Sequence, residues 1–225
     1  MCGRYVSPDE SAIEREFTLT GPHPRPLFPA SFNVAPTQQV PVIRMQGGQR
    51  ELVRMRFGLI PFFAKGVAGQ YSTINARIET VRTSPAYRSA WQRGQRCLII
   101  ANGFYEWQVI ADGKQPWFIS CADQELFAFA GLWDMSTPQQ GEPILSCTII
   151  TLPASPFMAQ IHNTKQREPA ILQRKDQEAW LGATPEAAFA CLASYPDDLR
   201  SAWPVSKRVN SPRNNDAKLR ARETY

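Results

Sequence analysis

Proline constrains this chain more than any other residue. Nineteen prolines are spread through 225 residues, and each fixes its own φ and removes a backbone donor. Long uninterrupted helices therefore have little room, which argues against a helical bundle. Between the prolines and glycines lie short apolar runs. Residues 40–44 and 51–57 flank Gly47-Gly48 and predict a hairpin. Residues 104–110 and 115–121 flank Asp112-Gly113 and predict a second. Residues 96–101, 126–133 and 145–151 read as further strands. Short helices are expected over 8–17, from Ser84 or Pro85 to Trp91, over 176–180 and over 185–193. Strands outnumber helices and no βαβ periodicity is present. The expected fold is α+β, a mainly antiparallel, barrel-like sheet with peripheral short helices in one domain.

Several function classes are disfavoured at once. The apolar runs near 97–101 and 126–132 are too short to span a bilayer, and no basic-then-apolar leader opens the chain. No membrane partner is expected. The sequence has no GxGxxG, Walker, HExxH or GxSxG pattern. Five cysteines, at 2, 97, 121, 147 and 191, form no CxxC pair and leave one odd. That fits a reducing, cytoplasmic compartment and no structural zinc. Cys97, Cys121 and Cys147 lie in apolar stretches and read as small buried hydrophobes. Neither a cofactor nor a metal is expected. The net charge is +5, and residues 205–225 hold six basic and two acidic side chains, a net +4. Such a stretch either touches nucleic acid or keeps the surface soluble.

Position 2 is the most specific chemical signal. Once Met1 is removed, Cys2 carries an amine and a thiol on adjacent carbons. This 1,2-aminothiol condenses with an aldehyde to a Schiff base, and the thiol can then close a thiazolidine ring. No internal cysteine can do this. Two histidines exist: His23, between prolines and read as inert surface, and His162, the one plausible imidazole for proton transfer near neutral pH. Glu106 sits between Tyr105 and Trp107. On a strand those aromatics share one face and Glu106 takes the other, as a partly exposed, paired or acid–base carboxylate. Asn75, Arg77 and Glu79 alternate and would share a face if extended. They form either a salt-bridged edge or a phosphate- and amine-orienting set. Phe62 and Phe63, next to Lys65, are either core or a wedge that stacks on unpaired bases.

The same segments, in order, resemble the SOS-response-associated peptidase (SRAP) family, which includes abasic-site processing proteins. The resemblance is carried by Cys2-Gly3-Arg4-Tyr5, Asn33-Val34-Ala35-Pro36, Arg56-Phe57-Gly58-Leu59-Ile60-Pro61, Asn75-Ala76-Arg77-Ile78-Glu79-Thr80, Gly103-Phe104-Tyr105-Glu106-Trp107, Ile161-His162-Asn163 and Pro204-Val205-Ser206 with Val209-Asn210. It implies an SRAP domain over 2–219, followed by a basic tail over 220–225. It implies a monomeric, cytoplasmic protein, nucleoid-associated if bacterial, whose partner is single-stranded DNA with abasic sites. The implied function is DNA repair by a covalent thiazolidine crosslink through Cys2, with possible autopeptidase, lyase or crosslink-reversal chemistry. A peptidase acting on other proteins through the same N-terminal nucleophile is the alternative.

The resemblance also implies roles. Cys2 is the nucleophile, Asn75 holds its amine or the opened sugar, Glu106 is the acid–base carboxylate and His162 shuttles protons. Arg77 clamps the phosphate at the lesion, Arg4, Phe62 and Phe63 touch DNA, and Lys207 and Arg208 are further phosphate contacts. This chain departs from the family pattern after His162. There Thr164-Lys165-Gln166-Arg167-Glu168-Pro169 makes a longer loop and puts Glu168 where an apolar residue is usual. Arg167 is the counterpart of the usual arginine.

Overall fold

A computed structural model of the protein describes residues 2–19, 28–69 and 72–223. Met1, His23 and most of the proline-rich loop over 21–29 lie outside the described residues. The elements run β1 (Tyr5–Ser7), α1 (Glu10–Phe17), β2 (Ser31–Val34), β3 (Gln39–Gln46), β4 (Gln49–Phe57), β5 (Asn75–Arg77), α2 (Arg88–Gln92), β6 (Arg96–Ala101), β7 (Gly103–Ile110), β8 (Gly113–Cys121), β9 (Phe127–Ser136) and β10 (Ile144–Pro153). They continue through α3 (Pro156–Ile161), β11 (Arg167–Pro169), β12 (Ile171–Leu172), α4 (Gln177–Gly182), α5 (Pro185–Ala190) and β13 (Arg200–Pro204), with short 3₁₀ turns between.

Local chemistry explains most boundaries. Gly47 and Gly48 adopt φ of +58° and +79° between paired Gln46 and Gln49. Two positive φ angles suit the twist of a two-residue hairpin. Helix α1 begins at Glu10 rather than Pro8 because Asp9 is its cap, accepting from the Ala12 N–H. Ile13 and Phe17, four apart, are its buried face.

The strands form two sheets. The first is antiparallel in the order β13-β8-β7-β1-β2. The second runs β11-β10-β4-β3-β6-β9-β12, with β5 alongside β10. Strand β10 also pairs with β9, so the path β10-β4-β3-β6-β9 returns to β10. Its pairings with β4 and β5 are parallel. The chain is thus α+β with a mixed sheet and peripheral helices. The parallel pairings join segments far apart in sequence, which hairpin signals do not report.

The second sheet is covered on both faces, so its strands read as continuous apolar runs. On β6, Leu98 and Ile100 pack with Trp91, Trp180 and Ala188 of the helices. Cys97, Ile99 and Ala101 face Tyr5, Phe104 and Ile119 of the first sheet. The outer face of the first sheet packs Tyr105 and Phe118 against Val205, Val209 and Leu219. The stretch expected as a tail from residue 220 is docked as far as Glu223, since Trp203 donates to the Arg220 carbonyl and Arg222 bridges Val205.

Candidate active site

Strand β7 places Glu106. Tyr105 and Trp107 lie on the outer face while Phe104 faces the inter-sheet core, as strand alternation requires. Glu106 points inward and is 2% exposed. Gly103 opens the strand where β8 packs closely: a Cβ there would meet the Phe118 ring and come within 2.8 Å of the Ile119 carbonyl.

Helix α3 places His162. No helix is among those expected over 152–161, yet Ser155 caps a helix over Met158 N with Pro156 in the first turn. That Ser-Pro pair was the available signal. His162 closes the helix, its backbone N–H donating to the Met158 carbonyl. The helix is fastened to β7 from two sides. Asn163 accepts from Val109 N and donates to Val109 O, both at 2.9 Å, and Gln108 donates to the Gln160 carbonyl at 2.9 Å. These bonds set His162 Nε2 4.0 Å from Glu106 Oε2, with both side chains buried. His162 Nδ1 lies 2.8 Å from the Arg167 carbonyl and 3.3 Å from the Arg167 N–H. The Arg167 backbone thus engages Nδ1, and Nε2 is the nitrogen that faces Glu106.

Cys2 joins this pair. It is 1% exposed. Burial first, then the charge of Glu106, pushes its thiol well above the ordinary range. Burial likewise pushes the Glu106 carboxyl up, with His162 among the groups that oppose the shift. The Asn75 Nδ2 donates to the Cys2 carbonyl at 3.1 Å. Asn75 therefore holds Cys2 through its backbone carbonyl. Its Oδ1 is buried and takes no hydrogen bond from any described residue. Tyr87 fixes the Asn75 backbone by donating to its carbonyl at 3.0 Å.

The remaining candidates separate. Arg77, two residues along β5, is exposed. Glu79 lies past the strand end and pairs with Arg167, which holds its carboxyl below the usual range. Arg167 also donates to the Thr151 carbonyl at 2.6 Å. Phe62 and Phe63 are 47% and 53% exposed. Lys207 is exposed, and exposed Arg208 pairs with Asp216 at 2.8 Å.

Arg4 departs from its expected role. It is 8% exposed and donates to Asn33 Oδ1 and to the carbonyls of Val209 and Asn210. Asn33 donates to the Val209, Ser211 and Asn214 carbonyls. Three motif segments thus meet in a clamp that seats the C-terminal segment, and the Arg4 guanidinium is turned inward onto it.

The longer loop after His162 is compensated within the fold. Glu168 is 1% exposed, accepts from Ser155 N at 2.9 Å, and meets Arg200 in two bonds of 2.9 and 3.0 Å. The pair ties β11 of one sheet to β13 of the other, beneath the start of α3. Breaking a buried pair strands a charge, which costs ~3–5 kcal/mol. Arg200→Met is expected to lose about that much in urea unfolding. A loss under about 1 kcal/mol would show that the pair contributes little.

Among the described residues there is no cluster of three His, Cys, Asp or Glu able to hold a metal, and no helix long and apolar enough to cross a membrane. Residues 1–212 match the SOS response associated peptidase (SRAP) family. The chain is similar to abasic site processing protein YoaM of Bacillus subtilis, 37% identical with all of both chains covered. It is also similar to abasic site processing protein HMCES of Gallus gallus, 33% identical over 82% of this chain and 64% of that one. Crystal structures resemble the fold: a protein from Bacteroides thetaiotaomicron (TM-score 0.88, 22% identity, all of both chains) and one from Bordetella bronchiseptica (TM-score 0.78, 28% identity, 91% of this chain and all of that one).

Proposed function

The chain belongs to the SRAP family, and we propose that it is a DNA-repair protein that captures abasic sites in single-stranded DNA through a covalent bond to Cys2. The observation that carries this reading is the convergence of Cys2, Glu106 and His162 in one buried cluster, with Asn75 on the Cys2 backbone. Relatives named for abasic-site processing match this chain from end to end.

The chemistry follows from the groups present. Removal of Met1 frees the Cys2 amine, and the same acid–base pair suits hydrolysis of that first peptide bond. An N-terminal amine has a pKa of ~7.7–8.0, so a usable fraction is neutral near pH 7. The opened sugar of an abasic site presents an aldehyde. The amine adds to it, water leaves, and an imine forms. The thiol sulfur then adds to the imine carbon, its proton passes to nitrogen, and a thiazolidine closes with a net loss of one water. Burial keeps the thiol protonated, so the amine attacks first and the thiol needs a base. Glu106, with its raised pKa, can give a proton to the departing water and take one from the thiol. His162 Nε2 sits where it can exchange that proton. The Asn75 Oδ1 is the acceptor for the new amine. An imine also acidifies the neighbouring sugar carbon, so lyase chemistry belongs to the same intermediate.

On the surface, Arg77 supplies a phosphate contact beside Asn75, and Phe62 and Phe63 supply faces for base stacking. Lys207 adds a second positive contact.

The test is to incubate the protein with single-stranded DNA holding one abasic site. An adduct that survives denaturing electrophoresis is expected, with Met1 absent and the intact mass equal to protein plus one strand less one water. No adduct from a protein whose Cys2 is already terminal would sink the reading and favour a peptidase.

A further inference from the structure

Two large apolar side chains stand in water on a loop that the fold fastens from below. Three buried acceptors of β9 and β10 bind its backbone. Ser146 Oγ takes Ile60 N at 2.8 Å, Asp134 Oδ2 takes Phe62 N at 2.9 Å, and Ser136 Oγ takes Gly66 N at 2.9 Å. Asp134 is 1% exposed, while both serines are fully buried. The other oxygen of Asp134, Oδ1, accepts from Arg93 at 2.8 Å and from Met135 N at 2.9 Å. The Arg93 guanidinium in turn lies 4.8 Å from the Phe62 ring centroid, and Phe62 meets Phe63 edge to face at 5.5 Å. A hollow lined by Phe62, Phe63, Pro85, Arg88, Ser89 and Gln92 opens beside the pair.

We propose that Asp134 and Arg93 are positioning residues for base stacking, holding Phe62 and Phe63 outward as a wedge formed before an unpaired base arrives. The proposal rests on the DNA-binding reading above. A loose loop would fold its two rings against the protein to leave water. Here the backbone bond to Phe62 and the cation on its ring oppose that collapse, so the ordering cost falls on folding rather than on binding. Arg93 also carries charge to the base of the wedge, where a phosphate of the stacked nucleotide would pass.

Asparagine at 134 is the sharpest probe. Asp134 uses both oxygens as acceptors, and an amide has one. In either rotamer, Asp134→Asn turns an N–H toward Phe62 N or toward Arg93. The experiment is a double-mutant cycle on an undamaged single-stranded oligonucleotide, read by fluorescence anisotropy. Phe62→Ala with Phe63→Ala is expected to weaken binding by about tenfold or more. Asp134→Asn alone should weaken it by about threefold or more, and by less than twofold once both rings are gone. Arg93→Met, at a half-exposed side chain, should behave likewise and carries the cycle if Asp134→Asn fails to fold. Crosslinking to abasic DNA supplies the second readout: the half-saturating DNA concentration rises and the saturated rate holds. Additive effects, or a fall in the saturated rate alone, would overturn the proposal. Wild type that binds and shows the cycle without ever crosslinking would instead overturn the covalent reading and leave this one standing.

Discussion

Replacing Cys2 with alanine is expected to remove every adduct that survives denaturing electrophoresis, while binding to single-stranded DNA stays within about twofold of wild type. The two effects separate because the substitution removes one sulfur atom and leaves the proposed phosphate and stacking contacts at Arg77, Phe62 and Phe63 in place, so its loss spares the reversible complex. Alanine at position 2 still offers an amine once Met1 is removed, and that amine can form an imine. An imine hydrolyses, whereas the sulfur-closed ring persists. Adding a hydride reductant should therefore restore a trapped adduct in Cys2→Ala, which assigns the first bond to the amine and the lasting one to sulfur. Arg77→Ala is the complementary case. Arg77 is exposed beside Asn75, and its removal should weaken reversible binding and crosslinking together. The slope of log affinity against log salt should shrink by about 0.7, the signature of one lost phosphate contact to a single strand. A normal, denaturant-resistant adduct from Cys2→Ala without reductant would end the mechanism.

The residues of the candidate site were more legible in the sequence than the scaffold that brings them together. Cys2 announces itself by position, and Glu106 by standing on the strand face opposite its two aromatic neighbours. The hairpins around Gly47-Gly48 and Asp112-Gly113 were legible because turn chemistry is local, although the second closes one residue earlier, with Gly113 already in β8. What stayed hidden depends on distance along the chain. Strand β5 is three residues long and is held as a strand by β10. No short window reveals that pairing. Arg4 and Asn33 read as motif residues because the backbone carbonyls they bind lie more than 170 positions away. Glu168 reads as a misfit beside His162 until Arg200 is seen to meet it. Helix α3 is the one omission that local signals could have prevented, since its serine cap and proline stand together in the sequence.

Glu106→Gln is expected to slow adduct formation by about 10²- to 10⁴-fold, the usual weight of one acid–base group, while making the protein more stable at neutral pH. The two outcomes share a cause. Burial raises the Glu106 pKa in the folded state, whereas in the unfolded chain it returns to about 4.3. Below pH ~4.3 the carboxyl is protonated in both states, so wild type and the glutamine variant should unfold alike. As pH rises past that point the unfolded chain releases its proton first. The folded state then binds more protons, and stability falls until pH passes the raised, folded-state pKa. Above it the deficit is constant. Glutamine has no charge to bury and escapes the deficit, so the gap between the two proteins should open with increasing pH and then level off. Denaturant midpoints measured at several pH values, beside single-turnover adduct rates, read both quantities on the same preparations. A carboxylate kept at a cost to folding yet indispensable to rate is the behaviour of an acid–base group. Should the variant crosslink at the wild-type rate, Glu106 is no proton carrier. If it were instead less stable at neutral pH, the charged form would be the one the fold favours, and the reading of Glu106 as a carboxyl whose pKa burial raises would fail.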